Sequence, residues 1–451
     1  WWNNAWTAIE KKFSEIRAVV MFNTSLDHYN VDGYQPTALP WKWSFDSAFQ
    51  LAPASASFNN LIFKSSLLNP SVSSSTTLLP ENMRAVGYDK GVHWFRNVHT
   101  GSVKVLKSDI RQMKALGINT VLRSIPDIYS RNFFKIAEAE RLCVIPRLWV
   151  DLPISKLMDA DCLEEEKKRL LHLVKKFKEK KSIIAWNLSN DVLYQIETSV
   201  SKPDRYVYQT NYIQWLQQLI KNIKQIDGVH PVTVTVIWND HANERMQLYN
   251  NFVGDASEFF LNSEKEKEFP SSLQLPVKFS WRMVDPSLWD SLQVSNLIIP
   301  SWQDQQTAGF ASLNGILDLY GRKKQIFDNV NEKWNGEANE NVYTAIKILR
   351  PIKLPFEGQT LVYHALVKDD SDNFVFATKN KKQIRFEWYL VHTDPYGNEL
   401  SIKPVGNSEM LALKIPAYPQ FYYLYLEAIS DNRVTTTKSP LGLPLDMNTI
   451  K

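Results

Sequence analysis

The residues best suited to chemistry in this chain fall where the hydropathy pattern ends a β-strand. They are Arg123, Trp149 with Asp151, Asn190 with Asp191, Trp238 with Asn239 and Asp240, Trp281 with Arg282, and Trp302 with Asp304. Indole faces stack on the apolar faces of sugar rings, and planar amide, carboxylate and guanidinium groups bind hydroxyls. Such a set suits a saccharide ligand. Any one tryptophan could instead cap a core; the recurrence of the pattern at strand ends is what points to a binding rim. Paired carboxylates would add acid–base chemistry, and Asp151, Asp191, Asp240, Glu258 and Asp304 are the carboxylates at or near these strand ends.

Composition narrows the alternatives. The chain has 52 basic and 48 acidic residues, a net charge of +4, so its field nearly cancels. Lys175-Lys176 and Lys180-Lys181 sit among glutamates and read as a solvated helix face, which argues against nucleic acid as a partner. The two cysteines, Cys143 and Cys162, form neither a metal motif nor a disulfide framework, and nothing calls for a metal or other cofactor. No apolar run reaches the roughly 20 residues that span a bilayer. The start at Trp1-Trp2-Asn3, without initiator Met or signal-peptide pattern, is that expected of a processed or truncated chain.

A length of 451 residues suggests two or three domains. Residues 1–65 hold a helix, a strand over 16–24 and a second helical stretch. Residues 66–84 are a Ser/Thr/Pro linker. Over 85–340 strand and helix signals alternate, with strands near 85–95, 118–123, 143–149, 183–188, 232–238, 251–261, 277–283 and 297–302. Leu106, Ile110, Met113 and Leu116 make one helix stripe, and Leu216, Leu219 and Ile223 another. Such alternation predicts parallel strands joined by helical crossovers, an α/β fold of the (β/α)₈ TIM-barrel kind, whose chemistry lies at the strand C-termini. Over 349–451 short alternating strands with turns at Asp394-Pro395-Tyr396-Gly397 and Asp431-Asn432 predict an all-β sandwich.

Several motifs bring a family into view. Lys90-Gly91-Val92-His93-Trp94-Phe95, His99-Thr100-Gly101, residues 109–121 and 182–191, Asp227-Gly228-Val229-His230-Pro231, and residues 315–324 resemble glycoside hydrolase family 2 barrels in order and spacing. The resemblance implies a retaining acid/base after Asn190, where this chain has Asp191, one methylene shorter than the family's Glu. It implies a nucleophilic Glu after Pro276-Val277-Lys278-Phe279-Ser280, where this chain has Trp281. It also makes Arg123 the residue that orients the nucleophile and Trp302 the floor of the sugar subsite. Residues 1–65 resemble the end of a family 26 glycosidase barrel, and 349–451 resemble the immunoglobulin-like modules of glycosidases.

The expectation is therefore a glycoside hydrolase-like protein that binds a polysaccharide or oligosaccharide with lost or impaired hydrolysis. Its contacts would be Arg123, Trp149, Asp151, Asn190, Trp238, Asn239, Trp302 and Asp304. The resemblance implies a periplasmic, cell-surface or secreted setting. An active O-glycosyl hydrolase using Asp191 with a non-standard second carboxylate is one alternative. A structural subunit with protein partners in an envelope assembly is the other.

Overall fold

A computed structural model describes residues 83–92, 101–202, 204–238, 245, 248, 256–263, 277–281, 297–307, 309–337, 344–369, 371–377, 384–394 and 399–442. The expectations for residues 1–65, for nearly all of the 66–84 linker, and for Asn239 and Asp240 lie outside the described residues, as do those for the side chains of Trp238, Glu258 and Trp281.

Eight parallel strands pair in chain order, and the eighth returns to the first to close a barrel. They are β1 (Arg84–Gly87), β2 (Thr120–Ile125), β3 (Cys143–Trp149), β4 (Trp186–Ser189), β5 (Val232–Trp238), β6 (Ala256–Ser263), β7 (Val277–Trp281) and β8 (Leu297–Ile299). Helices fill the first four crossovers: α1 (Val103–Ala115), α2 (Ser130–Ala139), α3 (Ala160–Phe177), then α4 (Val192–Ser199) with α5 (Asp204–Ile226).

Local chemistry places these helices. In α1, Leu106, Ile110 and Met113 form the buried stripe, and Gly117, at φ +86°, turns the chain toward β2. In α3, Asp159 caps the first turn by accepting from the Asp161 and Cys162 amides at 3.1 Å, while Lys175 and Lys176 sit at the negative C-terminal end.

Alternate strand residues face two different cores. Met83, Ala85, Leu122, Ile145, Ala185 and Ile298 meet inside the ring. Val86, Val121, Val144, Leu148, Trp186 and Leu188 face outward onto helix residues such as Phe133, Leu170 and Leu219. The 227–231 motif pins the entry to β5. Asp227 Oδ2 accepts the Trp186 indole N–H at 2.8 Å and lies 2.8 Å from His230 Nδ1. Burial pushes the Asp227 carboxyl up, but the His230 and Trp186 hydrogen bonds outweigh it and hold the group at about 2.

The eighth strand is shorter than the sequence suggests. It ends at Ile299, before Pro300, and the chain continues as β9 (Ser301–Gln303) in another sheet. After a hairpin of β10 (Gln305–Thr307) and β11 (Phe310–Ser312), β12 (Gly315–Leu317) and β13 (Lys323–Lys324) lead into α6 (Gln325–Asn335). Two further β-layers follow. One holds β14 (Ile346–Leu349), β15 (Thr360–Lys368), β16 (Phe374–Phe376) and β19 (Met410–Lys414). The other runs β18-β17-β20-β21-β13-β12-β9, where β17 is Arg385–Thr393, β18 Glu399–Gly406, β20 Tyr422–Ser430 and β21 Arg433–Pro440. Strands β9, β12 and β13 thus belong to the same sheet as strands beyond 349, through the parallel pairing of β13 with β21.

A buried charge cluster sits in that sheet. Arg322 donates to Asp318, to both oxygens of Glu387 at 3.1 and 2.7 Å, and to Glu427 at 3.0 Å. Beside it Lys324 pairs with Asp304 at 2.6 Å. Burial pushes the Glu427 carboxyl up to about 8, with Asp318 adding to the rise and Lys324 and Arg322 opposing it; burial pushes Asp304 up to about 7 against Lys324. Unfolded carboxyls ionise near 4, so between about pH 4 and 8 the folded state holds the extra protons and stability falls as pH rises. Glu427→Gln, which cannot ionise, should therefore show a smaller drop in Tm between pH 5 and 8 than the parent chain. Parallel Tm profiles for the two proteins would contradict this assignment.

Candidate functional site

The C-terminal ends of the barrel strands carry the candidate residues, and their side chains part ways there. Trp281 is the last residue of β7, paired in register with Ser263 of β6, so no carboxylate occupies that strand end. Asp191 follows β4 by two positions and is buried. It is the N-cap of α4: one carboxylate oxygen accepts from the Tyr194 amide at 3.2 Å. Its other oxygen lies 3.3 Å from the Arg245 guanidinium, which also pairs with Glu197 and stacks 5.2 Å from the Tyr194 ring centroid. Both oxygens are held by the protein. Asn190 adopts a left-handed backbone at φ +79°, which Asn tolerates better than most residues. Its amide donates to the Val150 carbonyl at 2.7 Å and accepts from Gln195 at 2.5 Å. It fixes the β4–α4 turn.

Arg123 lies on the outer face of β2, in step with Val121 and Ile125. It donates to the carbonyls of Tyr88 at 3.0 Å and Lys90 at 3.3 Å, and to Asp127 at 3.2 Å. Its guanidinium sits 4.6 Å from the Phe133 ring centroid of α2. This arginine locks the β1 and β2 ends to the helix layer and does not face the lumen. Trp302 is 1% exposed and packs edge-on against Phe327 of α6 at 6.2 Å, and its indole N–H is unpartnered. The ring face expected to floor a sugar subsite is covered. Asp304 is fully buried, bound to Lys324 and to the Gly315 amide at 2.8 Å. Glycine is required at 315 because a Cβ there would fall 2.2 Å from the Asp304 amide nitrogen.

The lumen-facing rim is built from other residues as well. Arg147 of β3 shares a face with Ile145 and pairs with Asp89 at 3.2 Å, each side chain about one-fifth exposed. Asp89 also accepts from the Ser124 amide at 2.8 Å. Below them, Asn187 donates to Thr233 and accepts from Ser189 and Thr235, a closed polar network inside the barrel. Trp149 ends β3 on the Arg147 face and is 51% exposed. Its carbonyl accepts from Arg169 at 2.5 Å, Arg169 clasps Glu166, and Glu166 accepts from the amide of exposed Asp151 at 2.8 Å. The β3–α3 turn is thereby pinned. A small cleft, lined by Tyr88, Asp89, Lys90 and residues 302–305, separates the end of β1 from β9.

Sequence reading overlooked Arg147, Asp89 and Arg245. Arg147 had a signal, a lone charge inside the apolar strand Cys143–Trp149. Arg245 had none, because its contact with Asp191 spans fifty-odd residues of chain. Among the described residues no group of three or more His, Cys, Asp or Glu could hold a metal ion.

The sequence matches no family model and no curated protein. Solved structures with similar arrangements include a β-glucuronidase 2 of Bacteroides uniformis, at 10% identity and a TM-score of 0.45, covering 81% of this chain and 46% of that one. A glycosyl hydrolase family 2 member of Bacteroides cellulosilyticus has 13% identity, a TM-score of 0.40, and coverage of 80% and 46%. A β-galactosidase of the psychrophilic Marinomonas ef1 has 8% identity, a TM-score of 0.43, and coverage of 56% and 59%. The chain spans about half the length of these proteins.

Two stability measurements check the placements. Asp191→Ala removes the α4 cap and the Arg245 partner and should cost about 3 kcal/mol or more, while Asp191→Asn keeps the capping oxygen and should cost less. Near-zero cost for both would mean that the carboxylate faces a ligand instead. Trp302→Ala should lower unfolding free energy by about 3–5 kcal/mol, as expected for a core indole.

Proposed function

We propose that this chain is a glycoside hydrolase-like protein that binds an oligosaccharide or polysaccharide at the barrel rim without hydrolysing it. The observation that carries the reading is Asp191, which stands where the resembled family has its acid/base but is tied down by the Tyr194 amide and Arg245. A general acid must present a free carboxyl to the glycosidic oxygen. Trp281 at the end of β7 supplies no nucleophile. The motifs over residues 90–324 and the closed parallel barrel are the grounds for calling it glycosidase-like.

In this reading residues 85–340 are a (β/α)₈ barrel of the family 2 kind and 349–451 an immunoglobulin-like module, preceded by the 66–84 linker and the end of a family 26-like barrel in 1–65. The protein works in the cell envelope or outside the cell. Trp149 is the sugar platform: a half-exposed indole on a pinned turn, with Asp151 and the Asp89–Arg147 pair as orienting polar groups.

The test is a glycan array, followed by calorimetry and a reducing-end assay on each glycan bound. Trp149→Ala should weaken binding about tenfold, since stacking aromatics contribute on the order of 1 kcal/mol or more. No glycan should be cleaved. Turnover abolished by Asp191→Asn would establish an active hydrolase instead, and failure to bind any glycan would leave the barrel a scaffold.

A further inference from the structure

One rung of the C-terminal sheet sets like charges side by side. The register of β17 and β20 places Glu387 directly opposite Glu427, and Glu427 lies opposite Thr436 of β21. Carboxylates opposed in this way repel each other unless a cation stands between them. Arg322 is that cation, reaching both glutamates and Asp318 from the turn before β13. Two residues on, Lys324 pairs with Asp304 and sits 5.7 Å from the Tyr425 ring centroid.

The join beneath these charges is a narrow one between two cores. Trp302, Ile316, Leu317, Phe327 and Val330 belong to the apolar core of the barrel, so β9, β12 and α6 are anchored there. Trp388, Leu424, Leu426 and Ala428 belong to a separate core under β17 and β20. Between the two, β13 is two residues long and meets β21 at Lys323 with Arg433 and at Lys324 with Val434. An outer tie, Arg433 to Asp328 of α6 at 3.3 Å, is partly exposed. Ala311 and Leu313 cluster with Tyr389 and Val391, which holds the neighbouring hairpin rather than these rungs.

We propose that the charge cluster is a proton-operated latch: protonated, it clamps β13 to β21, and deprotonated, it lets that seam open while the barrel stays folded. The groups around Glu427 set the sign. Burial pushes its carboxyl up to about 8, with Asp318 and Asp304 adding to the rise and Lys324 and Arg322 opposing it. Burial lifts Asp304 to about 7 against Lys324 and the Gly315 amide. Burial pushes Glu387 up as well, but hydrogen bonds from Arg322 and Tyr389, with Arg385 nearby, hold it below the usual range. Burial keeps Tyr389 and Tyr425 neutral at these pH values. An opened seam returns Glu427 and Asp304 to water, where such carboxyls ionise near 4. Between about pH 4 and 8 opening therefore releases protons, so it becomes easier as pH rises and levels off above about 8.

Hydrogen exchange of the full chain from about pH 5 to 8, corrected for the intrinsic pH dependence of amide exchange, tests the latch. Protection of residues 318–324 and 433–437 should fall about tenfold or more across that range. At the upper end those segments should exchange while β2 and β3 remain protected. Glu427→Gln and, separately, Asp304→Asn should each flatten the fall, because neither amide side chain ionises. Seam segments that lose protection only together with β2 and β3 would mean that the cluster opens with the whole fold, which would overturn the proposal. So would pH-independent protection in the parent chain, or an undiminished fall in both variants.

Discussion

Arg322 is the joint on which the second half of the molecule turns. A guanidinium removed from water must be matched by hydrogen-bonded anions, and three carboxylates from three chain segments converge on it: Asp318, Glu387 and Glu427. Asp318 comes from the turn before β13, Glu387 from β17 and Glu427 from β20. Satisfying this one cation draws the chain just beyond the barrel into the sheet of the C-terminal layers. With Lys324 and Asp304 alongside, two cations face four acids in a mostly buried space. Burial penalises the charged forms, and the excess of acids adds to that penalty, so the Asp304 and Glu427 carboxyls are pushed up toward neutral pH.

The same demand explains the barrel rim. A glycosidase needs carboxylates that are desolvated yet available to substrate. Asp191 is desolvated but is answered by Arg245 and the α4 amide, so it has become part of the β4–α4 architecture. Arg123 answers Asp127 and the Tyr88 and Lys90 carbonyls just beyond β1, on the outer face. Among the described residues, those left nearer solvent at this end of the barrel include Trp149, Asp151 and the Asp89–Arg147 pair.

The sequence by itself determined the strands of the ring and the helices of its first crossovers, because period-2 and period-3.6 patterns report burial directly along the chain. It also placed Asp191 just beyond β4 and Trp281 at the end of β7. Which face of a strand is the lumen was not legible. In Thr120-Val121-Leu122-Arg123-Ser124-Ile125 both faces are buried, one inside the ring and one under helices, so alternation carries no inside-or-outside label. Arg123 therefore read as a site residue and Arg147, on the lumen side, was passed over. Trp302 was misplaced for a related reason: Pro300 ends the eighth strand, and β9 turns its indole onto Phe327. The joining of β13 to β21 and of Arg245 to Asp191 are pairings between distant segments, and only the tertiary structure decides those, because buried charges choose partners by proximity in space and not by spacing in sequence.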